Sequence, residues 1–162
     1  MLHSVFIGLH ALAGVVALVA GGFALTRGRF FAIYLWAMVA MLGFLVLAVA
    51  AQWPVLTGPT RFLFGALGAL AVVMCARAWL AGRLRPVAPA PPPAAYVRHV
   101  GFTLVGLLDA FAVITVLNAG APGWSVAAVG VALAAAGHFA IDAAEHRLRA
   151  RHLPGVSPRY VA

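Results

Sequence analysis

Five apolar stretches run along the chain, at 3–25, 30–52, 60–81, 99–118 and 124–144, separated by short segments rich in Arg, Pro and Gly. Each lies near the ~20 residues that a helix needs to cross the hydrocarbon of a bilayer. Inside lipid no water pairs an exposed amide, so a spanning segment must close its hydrogen bonds within itself, which favours helices over open strands. The pattern therefore predicts an all-α, polytopic transmembrane bundle of five helices. It divides into a three-helix segment (1–84), a Pro-rich connector (85–97), a two-helix segment (98–146) and a basic tail (147–162).

Composition agrees with that reading. Of 162 residues 65% are hydrophobic and 9% charged, and mean hydropathy is +1.05. Soluble domains carry about 25% charged residues. All eleven basic residues are arginine. Arg27 and Arg29 follow the first run, and Arg83 and Arg85 follow the third. Arg98 precedes the fourth, Arg147, Arg149, Arg151 and Arg159 follow the fifth, and Arg77 lies in the last turns of the third helix. Only Arg61 falls in the alternate loops. Basic loops are retained in the cytoplasm, so the amino terminus is expected outside and the carboxyl terminus inside. The formal charge of +8 is thus a topology signal that also attracts anionic headgroups, and no nucleic-acid partner is expected. The first run has no positive segment before it and is expected to remain as a membrane helix.

Segment 85–97, "RPVAPAPPPAAYV", holds five prolines and is expected to be an extended spacer. The alternate loops, "QWPVLTGPT" and "NAGAPGW", read as tight turns with interfacial tryptophan. Ala13, Ala17 and Gly21 in the first run, and Gly130 and Ala134 in the fifth, recur every fourth residue. Small residues at that spacing let helix backbones approach closely in lipid. Cys75, the single cysteine, offers no disulfide or metal pair and is expected to pack as a small apolar residue.

The candidate chemistry lies in polar residues within the apolar runs. His138 and Asp142 continue the Gly130–Ala134 stripe, so they are expected to face the bundle or the cytoplasmic interface; Glu145 and His146 read as headgroup-level residues. Arg77 and Asp142 both sit about one turn from the inner end, which suggests an ion pair. His10 and Asp109 lie about 10 and 13 Å below the outer surface and match in depth, which suggests a hydrogen bond. An intramembrane carboxyl is a functional candidate by default. His99 opens the fourth helix. A b-type haem needs two imidazoles at compatible depths, and His10 and His138 differ by about 10 Å. Haem b is kept as an alternative, with no cofactor and no metal site expected. Phosphate loops and nucleophile elbows are absent from the sequence, so the reading leans to a non-enzymatic protein.

The stretches "LHALAGVVALVAGGFALTRGR" (9–29), "YLWAMVAMLGFLVLAVAA" (34–51) and "YVRHVGFTLVGLLDAFAVITVLNAGAPGW" (96–124) resemble a group of small bacterial multi-helix membrane proteins, a domain-of-unknown-function family. In that group a His follows the basic turn, where this chain reads "RFFAIY". The resemblance implies a multi-helix bacterial membrane protein and brings no established activity; the inner membrane is the expected location. Three functions follow as expectations: an accessory subunit packed against a larger membrane complex or itself, a proton-linked small-solute transport component using Asp109, His10 and the Arg77–Asp142 pair, and a haem-bearing electron-transfer protein.

Overall fold

The computed structural model describes residues 2–86 and 92–151. The described residues are helical and contain no strand. Helix α1 spans Leu2–Arg27, α2 Phe31–Gln52, α3 Gly58–Arg83, α4 Ala94–Asn118 and α5 Gly123–Arg151, with a 3-10 turn at Trp53–Val55. All five α-helices are long and apolar enough to cross a membrane. Successive helices alternate in direction, so nearly all the arginines gather at one end of the bundle, the arginine-rich end.

Helix limits differ from the apolar runs where capping and polar contacts extend the helix. Pro93, in extended conformation, sets the start of α4 five residues ahead of the apolar run, so Ala94–Val97 of the supposed spacer are helical. The rest of the connector, 87–91, lies outside the described residues. Helix α5 continues seven residues past its apolar run, through part of the basic tail, to Arg151; residues 152–162 lie outside the description.

Helix α1 packs along α2 and α4 along α5; α3 bridges α2 and α4, and α4 also meets α1. Helix α4 is thus the hub. Helix α5 has an extensive contact with α4 alone. The core lies toward the arginine-rich end, where Ala17, Ala20 and Ala24 of α1 bring Tyr34 and Met38 of α2 against Tyr96 and Val100 of α4. Gly21 is required there: a Cβ on it would meet Leu104 at 2.7 Å and the Tyr34 ring at 3.0 Å. Of the expected small-residue stripe on α1, Ala17 and Gly21 are buried and Ala13 is partly so. Cys75 is half-buried, and its thiol donates to the Met38 carbonyl at 3.4 Å.

Two buried tyrosines tie the core together through their hydroxyls. Tyr34 donates to Thr103, whose own hydroxyl donates to the Val100 carbonyl at 2.8 Å. Tyr96 donates to the Ala24 carbonyl at 2.7 Å. That carbonyl also accepts from Gly28 N, so Tyr96→Phe leaves no orphan acceptor. The expected cost is therefore modest, about 1 kcal/mol, read as a small fall in the melting midpoint in detergent. A large fall would show that the hydroxyl does more than this bond.

The α1–α2 turn is stapled from α3. Gly28 and Phe30 adopt left-handed conformations, with φ of 63° and 59°. Arg85 donates two bonds to the Gly28 carbonyl at 3.2 and 3.0 Å and covers the Phe31 ring at 5.7 Å. At the opposite end Arg61 donates to the Trp53 carbonyl at 3.2 Å and stacks over the Trp53 ring at 5.1 Å, closing the α2–α3 loop.

Candidate functional site

The polar residues within the spans fall into four places, and the grouping differs from the one depth alone suggests. His10 on α1 donates from Nδ1 to the Met41 carbonyl of α2 at 2.9 Å. Asp109 on α4 faces α5 instead: a Cβ on Gly130 would lie 3.6 Å from its Oδ1. That Oδ1 is buried and has no hydrogen-bond partner. The expected His10–Asp109 bond is therefore not formed, because the two side chains serve different helix interfaces.

The expected Arg77–Asp142 ion pair is not formed either. Arg77 lays its guanidinium over the Phe102 ring of α4 at 4.8 Å. Asp142 pairs along its own helix with His138, Oδ2 to Nε2 at 3.4 Å. Helix α3 packs on α2 and α4, whereas α5 rests on the far side of α4.

Among the described residues, Arg98–Glu145 is an ion pair that joins two helices. Arg98 donates from Nε to Oε2 at 3.0 Å, and from Nη2 to Oε1 at 2.9 Å and Oε2 at 2.7 Å. Such fork-on-carboxylate geometry fixes direction as well as charge. Glu145 is buried, so it is a structural clamp between α4 and α5 rather than a headgroup-level residue.

Helix α5 decides what these groups can do. Its packed line against α4 runs through Gly130, Gly137, Ile141 and Glu145. The four-residue stripe leaves that line because each step of four rotates a helix by about 40°, so the path from Gly130 to His146 turns by about 160°. Ala134 is accordingly exposed, and His138 and Asp142 expose 72% and 47% of their side chains. Neither points into the bundle.

Depth makes this exposure costly. At about 1.5 Å per residue, Trp124 and Arg147 stand about 34 Å apart, and His138 lies about 13 Å from the Arg147 level. The His138–Asp142 pair is thus set in the membrane on an outward face that also carries Trp124, Val131 and Phe139. Polar pairs at such depth are expected to face protein or a wet cavity, not acyl chains.

No family model, curated protein or solved structure matches this chain.

One further feature is not marked in the sequence. Near the opposite end, a cavity of about 160 Å³ between α1, α2 and α3 is lined by His3, Gln52 and apolar residues including Phe64. His3 there donates to the Ala48 carbonyl at 3.2 Å. His99, a candidate from the sequence, has an Nδ1 that is buried without a hydrogen-bond partner. Among the described residues no three metal-ligating side chains cluster.

Proposed function

We propose that this protein is an accessory subunit of the bacterial inner membrane, whose fifth helix docks against helices of a larger complex or of a second copy. The observation that carries the reading is the His138–Asp142 pair, exposed at membrane depth on a helix otherwise supported by α4 alone. Covering that face with protein gives the pair polar neighbours and buries Val131 and Phe139 at the same time. The resemblance to small bacterial membrane proteins and the five apolar helices support a bacterial membrane location. The positive-inside rule supports a cytoplasmic arginine-rich end, and with it a cytoplasmic carboxyl-terminal end of α5.

Native electrophoresis after gentle extraction tests this reading. The wild-type chain is expected to migrate in an assembly of defined stoichiometry. A His138→Ala/Asp142→Ala double variant of unchanged helical content is expected to migrate as the single chain. A wild-type chain that runs alone in lipid nanodiscs, with no shift in the double variant, would refute the docking role.

A proton-linked transport component is the second reading, and Asp109 favours it. Its buried Oδ1 lacks a partner inside the membrane. Reconstituted vesicles loaded with a pH-sensitive dye provide the check. Transport coupled to Asp109 predicts solute-dependent proton entry that Asp109→Asn abolishes; equal entry in both proteins removes this reading.

A further inference from the structure

Arg77 differs from the other arginines whose bonds hold the bundle together. Arg61, Arg85 and Arg98 spend their N–H groups on Trp53, Gly28 and Glu145 respectively. Arg77 is half-buried at the α3–α4 seam and rests the face of its guanidinium on Phe102. A guanidinium stacked by its face keeps five edge donors, in the fork that matches a phosphate or carboxylate. No protein acceptor takes any of them among the described residues.

Among the described residues no acidic side chain pairs with Arg77. The chain's three acidic residues are Asp109, Asp142 and Glu145. Asp109 faces α5, Asp142 pairs with His138, and Glu145 holds Arg98. Arg77 lies about 9 Å along α3 from Arg83, near the headgroup–acyl boundary. A cation there without a counter-charge is expensive. Among the described residues no anion faces it.

His99 supplies a second donor at the same place. It precedes Phe102 by three residues, so both lie on the face of α4 turned toward α3. Its ring lies within electrostatic reach of Arg77 and Arg98. Because Nδ1 is buried without a partner, a proton there would be an orphan N–H. The neutral ring avoids that by carrying its proton on Nε2. The accessible nitrogen is then the donor.

We propose that Arg77 and His99, with Phe102 as the platform that holds the guanidinium, form a binding site for a phosphate group between α3 and α4. Basic pockets between membrane helices at the cytoplasmic side take phospholipid headgroups in this way. A soluble phosphate reaching the headgroup layer would meet the same donors. The site is separate from the exposed face of α5 and does not depend on the docking role.

Native mass spectrometry of the full chain in maltoside micelles, with phosphatidylglycerol added, tests the site. The wild type is expected to retain one phosphatidylglycerol per chain through delipidation. Arg77→Gln should weaken retention about tenfold or more, since a bond to a charged group is lost. Arg77→Lys keeps the charge but not the fork and is expected to fall between them; it also serves if the glutamine variant does not fold. His99→Gln should weaken retention less, and Arg61→Gln, at the opposite end, not at all. The soluble source is read by 31P line broadening of inorganic phosphate without lipid, where broadening that depends on Arg77 supports the site with a soluble ligand. Arg77 variants that fold, hold phosphatidylglycerol like the wild type and leave the phosphate signal unchanged would overturn the proposal.

Discussion

Gly137→Val is expected to separate α5 from α4 while leaving each helix formed. A Cβ at position 137 would come within 2.3 and 2.5 Å of the two γ-carbons of Val105. Val105 is β-branched and stiff at χ1 in a helix, so it cannot swing aside. Overpacking in a tight core typically costs 1–3 kcal/mol, and at this closeness about 3 kcal/mol or more is expected. Helix α5 has no second extensive support, so the strain is relieved by moving the whole helix. Circular dichroism should remain near wild type while the melting midpoint falls. Disulfide formation between Gly101→Cys and Ile141→Cys, in a Cys75→Ser background, should drop. Ala136→Val, one residue away on an exposed position, is the control and should change stability by less than about 0.5 kcal/mol. Equal behaviour of the two variants would show that the Gly137–Val105 contact is not what seats α5.

The Arg98–Glu145 clamp should respond asymmetrically to losing either partner. Glu145 exposes 7% of its side chain and Arg98 53%. Arg98→Gln takes charge-assisted bonds from a buried carboxylate, and a bond to such a group contributes about 1.5–3 kcal/mol. Glu145→Gln frees an arginine that already reaches solvent and can turn to the headgroups; its expected cost is about 1 kcal/mol. Arg98→Lys should lie between, because an ammonium cannot reproduce the fork. Unfolding midpoints in nanodiscs give the comparison directly. Equal losses in Arg98→Gln and Glu145→Gln would mean that burial of Glu145 does not set the energetics of this clamp.

Much of the fold was legible because lipid imposes a length rule: each apolar run of about 20 residues became one helix. The ends were less legible, since Pro93, Tyr96 and Glu145 extend helices by contacts that an apolar run does not encode. Pairing by depth failed for Arg77–Asp142 and His10–Asp109 because depth is one coordinate and contact needs rotation as well. A better signal was present. Helices α4 and α5 are joined by the short loop 119–122, which forces them to be antiparallel neighbours, so residues equally far from the loop must meet. Counting outward from it brings Arg98 within two residues of Glu145 and Asp109 within two residues of Gly130, the contacts observed. No such register crosses the proline-rich connector, and Arg77 could not be matched that way. The outward turn of His138 and Asp142 was hidden for a related reason. The four-residue stripe was treated as one face, although its drift carries it off the packed line within two turns of Gly130.

The most direct measurement places a photo-crosslinking residue at Phe139, beside His138 on the exposed face of α5, and illuminates intact native membranes. A docked face should yield a discrete protein adduct, either a second copy or one other chain, that disappears in the His138→Ala/Asp142→Ala background. Adducts to lipid alone, unchanged by that double substitution, would contradict the claim that protein covers this polar pair.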